Sequence, residues 1–222
     1  MEGINKYIDS TLLRPEAPES QVMKLCEDAR QYEFASVCVN SYNAGLVRDL
    51  LAGSPVKTCV VIGFPLGAVA GEVKVSESLF AISRGAGELD MVMNIGALKS
   101  GKLQVVEEGI RGVVEAARGK ALVKVILECC LLSDEEKVEA CRVAVDAGAD
   151  FVKTSTGFST GGATVHDVKL MKEAVAGRAQ VKASGGIKDL GSALAMIEAG
   201  ATRLGTSSGV AIVVESERGG SI

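Results

Sequence analysis

Short β-rich runs alternating with amphipathic helical stretches predict an α/β protein, a single (β/α)8 barrel of the TIM-barrel architecture spanning residues 1–222. Three observations carry this. The strand-then-helix unit repeats eight times with no linker or low-complexity tract between units. Several strand runs are apolar at nearly every position, as parallel strands covered on both faces must be. The polar residues that do fall in strands gather toward the carboxyl ends, where barrels build their sites. At 222 residues the chain lies within the roughly 200–250 that one α/β barrel occupies. Periodicity alone does not separate this fold from a doubly wound open sheet; the unit count and the placement of polar residues favour the barrel.

The strand runs in chain order are 7–13 (YIDSTLL, the weakest), 35–40 (ASVCVN), 57–63 (KTCVVIG), 88–94 (ELDMVMN), 122–128 (LVKVILE), 150–155 (DFVKTS), 180–184 (QVKAS) and 202–205 (TRLG). Helix starts are marked by Ser133-Asp134-Glu135-Glu136 and Thr164-Val165-His166-Asp167, each a side-chain acceptor followed three residues on by a carboxylate. Helix ends are marked by Gly85, Gly148 and Gly200, each just before a strand, where glycine turns the chain left-handed. Much of the glycine content, 26 residues or about one in nine, is helix punctuation of this kind.

Composition narrows the partners. The 24 basic and 28 acidic residues leave a net charge of −4, and 47% of the chain is hydrophobic, which excludes disorder. Mild acidity weighs against nucleic acid, whose phosphates want a basic face. The longest apolar stretch, 59–71, is broken by Gly63, Pro65 and Gly67 and is shorter than the ~20 residues of a membrane span. The start, MEGINK, lacks the basic segment and apolar run of a signal peptide. Cys26, Cys38, Cys59, Cys129, Cys130 and Cys141 form no C-x-x-C and mostly sit in apolar runs, so they read as reduced core residues and the expected location is the cytoplasm.

Several motifs are set aside. Residues 96–102 (GALKSGK) nearly match a nucleotide P-loop, but Leu103 stands where the motif needs Ser or Thr, and the segment reads as a loop. The single histidine, His166, falls in the first turn of an expected helix, which leaves little support for a zinc site or a Ser-His-Asp triad. No G-x-G-x-x-G follows a strand, so no dinucleotide cofactor is implied.

The chemistry lies in charges placed where apolar residues belong. Strand alternation puts Asp90, Val92 and Asn94 on one face, and likewise Lys124, Ile126 and Glu128; Phe151, Lys153 and Ser155; Lys182 and Ser184. Four neighbouring strands thus offer charged groups to one interior, an arrangement that costs several kcal/mol per ion unless the charges meet or react. One strand lysine reads equally well as a structural ion pair, whereas Asp90, Lys153 and Lys182 together point to function. A lysine attacks carbonyls only as the free amine, which a second cation promotes. Lys182 is placed to act so on Lys153, with Asp90 moving protons. The reaction class is Schiff-base carbon–carbon cleavage or condensation. Two glycine and hydroxyl loops follow the last strands, Ser184-Gly185-Gly186-Ile187 and Gly205-Thr206-Ser207-Ser208-Gly209, where barrels commonly bind phosphate. A third, 155–164 (STGFSTGGAT), directly follows Lys153.

These residues, from Ile8-Asp9-Ser10-Thr11-Leu12-Leu13 through Glu88-Leu89-Asp90 and Phe151-Val152-Lys153-Thr154-Ser155-Thr156-Gly157-Phe158 to Val181-Lys182-Ala183-Ser184-Gly185-Gly186 and Gly205-Thr206-Ser207-Ser208, resemble the deoxyribose-phosphate aldolase family, class I aldolases with a (β/α)8 barrel. The resemblance implies reversible cleavage of 2-deoxy-D-ribose 5-phosphate to acetaldehyde and D-glyceraldehyde 3-phosphate in deoxynucleoside breakdown, with no metal or organic cofactor. It implies Lys153 as the imine-forming lysine, Lys182 as its cationic neighbour and proton relay, Asp90 as acid and base through water, and Asp9 as the group orienting Lys182. It also implies phosphate on Gly157, Gly185, Gly186, Ser207 and Ser208, and a homodimer or homotetramer. The choice of Lys153 over Lys182 comes from the resemblance alone. Two features depart from it: some relatives end in a tail with a terminal Tyr, whereas no Tyr follows Tyr42 here, and Phe158 stands where some place a lysine near the phosphate. The residues alone leave open a catalytically silent phosphosugar-binding barrel and a phosphate-binding isomerase or synthase on the same fold.

Overall fold

Every expected strand forms, within two residues of its expected ends, in a computed structural model that describes residues 3–219. In chain order the elements are β1 (Ile8–Leu12), α1 (Glu19–Gln31), β2 (Ser36–Val39), α2 (Ala44–Leu50), β3 (Lys57–Ile62), α3 (Gly71–Ser83), β4 (Glu88–Val92), α4 (Ile95–Lys99), α5 (Leu103–Ala117), β5 (Leu122–Ile126), α6 (Asp134–Asp146), β6 (Phe151–Lys153), α7 (Val165–Val175), β7 (Gln180–Ser184), α8 (Leu190–Glu198), β8 (Arg203–Thr206) and α9 (Gly209–Gly219). Each strand pairs in parallel with the next, and β8 returns to β1 through Ile8↔Leu204, Asp9↔Gly205 and Ser10↔Thr206. The sheet is therefore a closed barrel rather than a doubly wound open sheet. Of the C-terminal stretch 215–222, residues 220–222 lie outside the described residues and 215–219 complete α9.

The two faces of the strands have different chemistry. Outward residues such as Val60, Ile62, Leu89, Met91, Val123 and Val125 are fully buried against the helices in one continuous apolar shell. Each such side chain contributes about 1.5–3 kcal/mol of burial, so aliphatic residues supply the core that the scarce aromatics do not. Inward, Leu13, Cys38, Cys59 and Val61 form a small separate cluster under Phe64 on the β2–β3 side. Beside it the interior carries the charged residues of β1 and β4 to β8 among Val92, Ile126 and Phe151.

Local signals hold the frame in register. Ser133 and Glu136 make a full capping box at the start of α6, and Thr164 Oγ1 accepts the Asp167 N–H at the start of α7. Gly200, at the end of α8, has φ +114°, and a Cβ there would come 2.8 Å from the Lys172 side chain, so a side chain is excluded on both counts. Residues 96–102 differ from expectation. They are not all loop, because Asn94 Oδ1 accepts the Ala97 N–H at 3.0 Å and nucleates α4, turning those amides into a helix instead of toward a phosphate. His166 is exposed and 2.7 Å from Asp134, and all six cysteines are free, Cys130 alone exposed. Among the described residues no helix is long and apolar enough to cross a membrane.

Candidate active site

Register brings the interior charges to neighbouring levels. Asp90 lies opposite Lys124, Lys153 opposite Lys182, and Lys182 opposite Arg203, so β4 to β8 present their charges as one belt. Asp90 is its hub. Its Oδ2 accepts from Lys153 Nζ and Lys182 Nζ, both at 2.7 Å, and its Oδ1 from Lys124 Nζ at 2.8 Å. Lys182 Nζ also lies 2.5 Å from Asp9 Oδ2. Glu88 takes Lys124 at 2.6 Å and Arg203 at 2.8 Å, and Arg203 reaches back to Asp9. The four sequence-predicted charges, Asp9, Asp90, Lys153 and Lys182, thus meet directly.

Charge balance makes this tolerable. A buried ion is costly unless paired, and every ion of the belt has an opposite partner. Burial pushes the Asp90 carboxyl up, but Lys124, Lys153 and Lys182 together outweigh it and hold Asp90 well below the usual carboxylate range. Burial likewise raises Asp9, and Lys182, Lys124 and Arg203 more than reverse it. Burial pulls Lys182 down, yet Asp9 and Asp90 raise it well above the usual lysine range, so it stays a cation at neutral pH. The belt holds four cations (Lys124, Lys153, Lys182, Arg203) against three carboxylates (Asp9, Glu88, Asp90). Converting one ammonium to a neutral amine would leave it balanced.

Above the belt opens a cleft of about 220 Å³. Of the three belt lysines only Lys153 lines it, beside Gly157, Gly185, Gly186 and Ser207, with the cations Arg14 and Lys188 at its rim. Among the described residues the N–H groups of Gly157, Gly185, Gly186, Ile187 and Ser207 have no protein acceptor, so the wall is a set of free donors suited to an anion. The wall is braced: Ala163 N–H donates to Gly185 O at 3.0 Å, and Ser184 Oγ to Ser155 O at 2.6 Å. Ser208, expected with this group, does not line the cleft, because the chain turns there into α9 and its N–H donates to Thr206 Oγ1 at 2.9 Å.

Among the described residues two clusters have the donor types of a metal site. Cys38, Cys59 and Asp90 converge, but Asp90 already faces three ammonium groups, whose repulsion disfavours a further cation. Asp134, His166 and Asp167 converge, but Lys137 already pairs with both carboxylates, 3.0 Å from Asp134 and 2.6 Å from Asp167, and its charge disfavours a further cation.

Sequence reasoning passed over Glu88, Arg203, Cys38 and Cys59 as site residues. Glu88 was reachable, since stepping back two from Asp90 keeps to the same strand face. Arg14 and Lys188, at loop positions where a cation is ordinary, carried no such signal.

A family model described as DeoC/LacD family aldolase matches residues 5–214. The chain is 63% identical to the deoxyribose-phosphate aldolase of Clostridium tetani over 214 residues, 96% of this chain and 99% of that protein. It is 61% identical to the deoxyribose-phosphate aldolase of Streptococcus sanguinis, covering 98% of each. The solved tetrameric deoxyribose phosphate aldolase from Aeropyrum pernix superposes with a TM-score of 0.90 at 36% identity, covering 96% of this chain and 91% of that one.

Proposed function

Because the chain belongs to the DeoC/LacD aldolase family and is thus a lyase, we propose that it reversibly cleaves 2-deoxy-D-ribose 5-phosphate to acetaldehyde and D-glyceraldehyde 3-phosphate through an imine on Lys153. One observation carries this reading. Lys153 alone among the belt lysines reaches the cleft, and there it stands between the Asp90–Lys182 pair and a wall of free amides.

The steps follow from that placement. The Lys153 amine adds to the aldehyde carbon C1 of the open-chain sugar, and loss of water leaves an iminium. A base, Asp90 acting through water, takes the proton from the C3 hydroxyl. The C2–C3 bond breaks, its electron pair entering the iminium as an enamine, and C3 leaves as the aldehyde of glyceraldehyde 3-phosphate. Protonation of the enamine carbon, with Lys182 and Asp90 as the nearest proton carriers, and hydrolysis release acetaldehyde. Asp9 holds Lys182 at the depth where it bridges to Asp90. The phosphate accepts from the N–H groups of Gly157, Gly185, Gly186 and Ser207, with Arg14 and Lys188 adding charge.

Borohydride reduction in the presence of acetaldehyde tests the reading. It is expected to leave one ethyl group on Lys153. Full labelling in a Lys153→Ala variant would overturn the assignment, and phosphate-ester binding with no labelling would turn it into a silent sugar-phosphate binder. We further propose that the protein works in the cytoplasm as a homodimer or homotetramer. The tetrameric Aeropyrum pernix relative and the free cysteines support this, and light scattering at working concentration tests the assembly.

A further inference from the structure

Just past β5, Glu128 adopts φ +60° and ψ +63°, a left-handed conformation that residues with a Cβ avoid at a cost of roughly 1–2 kcal/mol. It is also buried. Strain of this kind persists only where neighbouring contacts impose it, and it gathers at functional sites. Here the contacts are specific. One carboxylate oxygen accepts the Thr156 N–H at 3.2 Å, and the other accepts the Thr156 hydroxyl. That same hydroxyl accepts the Phe158 N–H at 3.0 Å. The flanking backbone runs alongside, with Leu127 N–H on Lys153 O and Cys129 N–H on Thr154 O, both at 2.9 Å.

The result is a clamp from one strand end to the next loop. Glu128 takes both donors of Thr156, and Thr156 takes the amide of Phe158. Between them Gly157, at φ +83°, is left with its N–H free in the wall of the cleft. Thr156, Gly157 and Phe158 all line that cleft, and Lys153 lies only three residues before Thr156.

We propose that Glu128 is a positioning residue for phosphate recognition: through Thr156 it fixes the 156–158 backbone so that the Gly157 amide faces the phosphate. The proposal rests on the reading of the cleft given above. It runs against simple electrostatics, because a buried carboxylate near a phosphate should repel it. Removing the charge should therefore tighten phosphate binding if charge is its main effect, and loosen it if positioning is.

The test compares 2-deoxyribose 5-phosphate with unphosphorylated 2-deoxyribose in Glu128→Gln, Thr156→Val and Thr156→Ser. For Glu128→Gln and Thr156→Val, KM for the phosphorylated sugar is expected to rise roughly 10- to 100-fold, the scale of a lost hydrogen bond to a charged group, with kcat nearly unchanged. Their kcat/KM for 2-deoxyribose should fall by much less, so that the preference for the phosphorylated sugar drops at least severalfold while borohydride still labels Lys153. Thr156→Ser, which keeps the hydroxyl, should restore the parent KM. Since Glu128→Gln risks misfolding, Thr156→Val carries the test independently. A lower KM in Glu128→Gln, an equal loss on both sugars, or a fall in kcat alone would overturn the proposal. If the parent protein itself does not prefer the phosphorylated sugar, the phosphate reading of the cleft fails, and that result is visible before any variant is made.

Discussion

The belt inside the barrel and the cup above it solve opposite problems. The belt is made of side chains whose charges satisfy one another, with Asp90 holding three ammonium groups and Glu88 joining Lys124 to Arg203. The cup is made of backbone whose N–H groups are left without protein partners. A paired network holds its side chains in place while one proton moves within it, which suits groups that must be reset each turnover. A wall of this kind has donors to offer a ligand in exchange for water. Damage to the belt should therefore appear in kcat, and damage to the cup in KM.

The sharpest break in that comparison is Lys153→Ala. It is expected to lower turnover by about 10⁴-fold or more, the scale seen when a nucleophile is removed, while the phosphorylated sugar still binds. Steady-state rates together with equilibrium binding of the sugar phosphate check both halves. Loss of binding as large as the loss of rate would mean that belt and cup are one unit.

Asp90→Asn comes next, with a loss of roughly 10²–10⁴-fold in kcat and little change in KM, as for an acid–base group. It carries a pH signature as well. Asp90 and Asp9 are held below the usual carboxylate range, so their contribution to stability is fully present above that range and fades as pH falls through their own depressed values. Lys182 is raised, so its contribution is present below the usual lysine range and is lost only at still higher pH. Denaturant midpoints measured across pH should therefore fall at the acid extreme in the parent, and fall less steeply in Asp90→Asn. An unchanged acid slope would show that Asp90 does not hold the belt together.

The two regions also differed in how far they could be read from sequence. A charge in the middle of an apolar strand is an anomaly, so Asp90, Lys124, Lys153 and Lys182 stand out; alternation fixes the face of each within its own strand, and the closed barrel turns those four faces inward together. Glu88 and Arg203 stand first in their strands, where a charge looks like part of a turn; alternation from Asp90 reaches Glu88, but only the closed barrel shows Arg203 inside. The cup was legible as glycine loops but not in detail, because backbone amides leave no side-chain signature. Nothing in the Ser207-Ser208 pair distinguishes the residue that lines the cleft from the one whose amide turns to Thr206. Glu128 was seen only as one more charge on the Lys124 face; its role depends on a left-handed backbone that favours glycine, and propensity does not foresee it there.

Gly186→Ala probes the cup without touching the belt. Gly186 has φ +82° with open space around its Cβ direction, so the substitution adds backbone strain and no clash. That strain, roughly 1–2 kcal/mol, will be relieved by rotating the amide away from the ligand, and the expected result is about a tenfold higher KM at near-constant kcat. A kcat loss larger than the KM change would place Gly186 with the chemistry and blur the division.

The smallest expected effect is also the most discriminating about charge. Arg14 sits on the rim, mostly exposed, with its guanidinium 3.2 Å from Gln21 Oε1 and 3.8 Å from Glu16. An exposed cation near a phosphate contributes little at physiological ionic strength, where fields are screened within about 8 Å. Arg14→Gln should therefore raise KM for the phosphorylated sugar only about two- to threefold, and the difference from the parent should shrink as salt is added. The amide wall, by contrast, acts by contact, so the Gly186→Ala defect should persist in high salt. If the Arg14 defect were large and independent of salt, the rim side chain would be a direct ligand of the phosphate, and the cup could no longer be described as a backbone device.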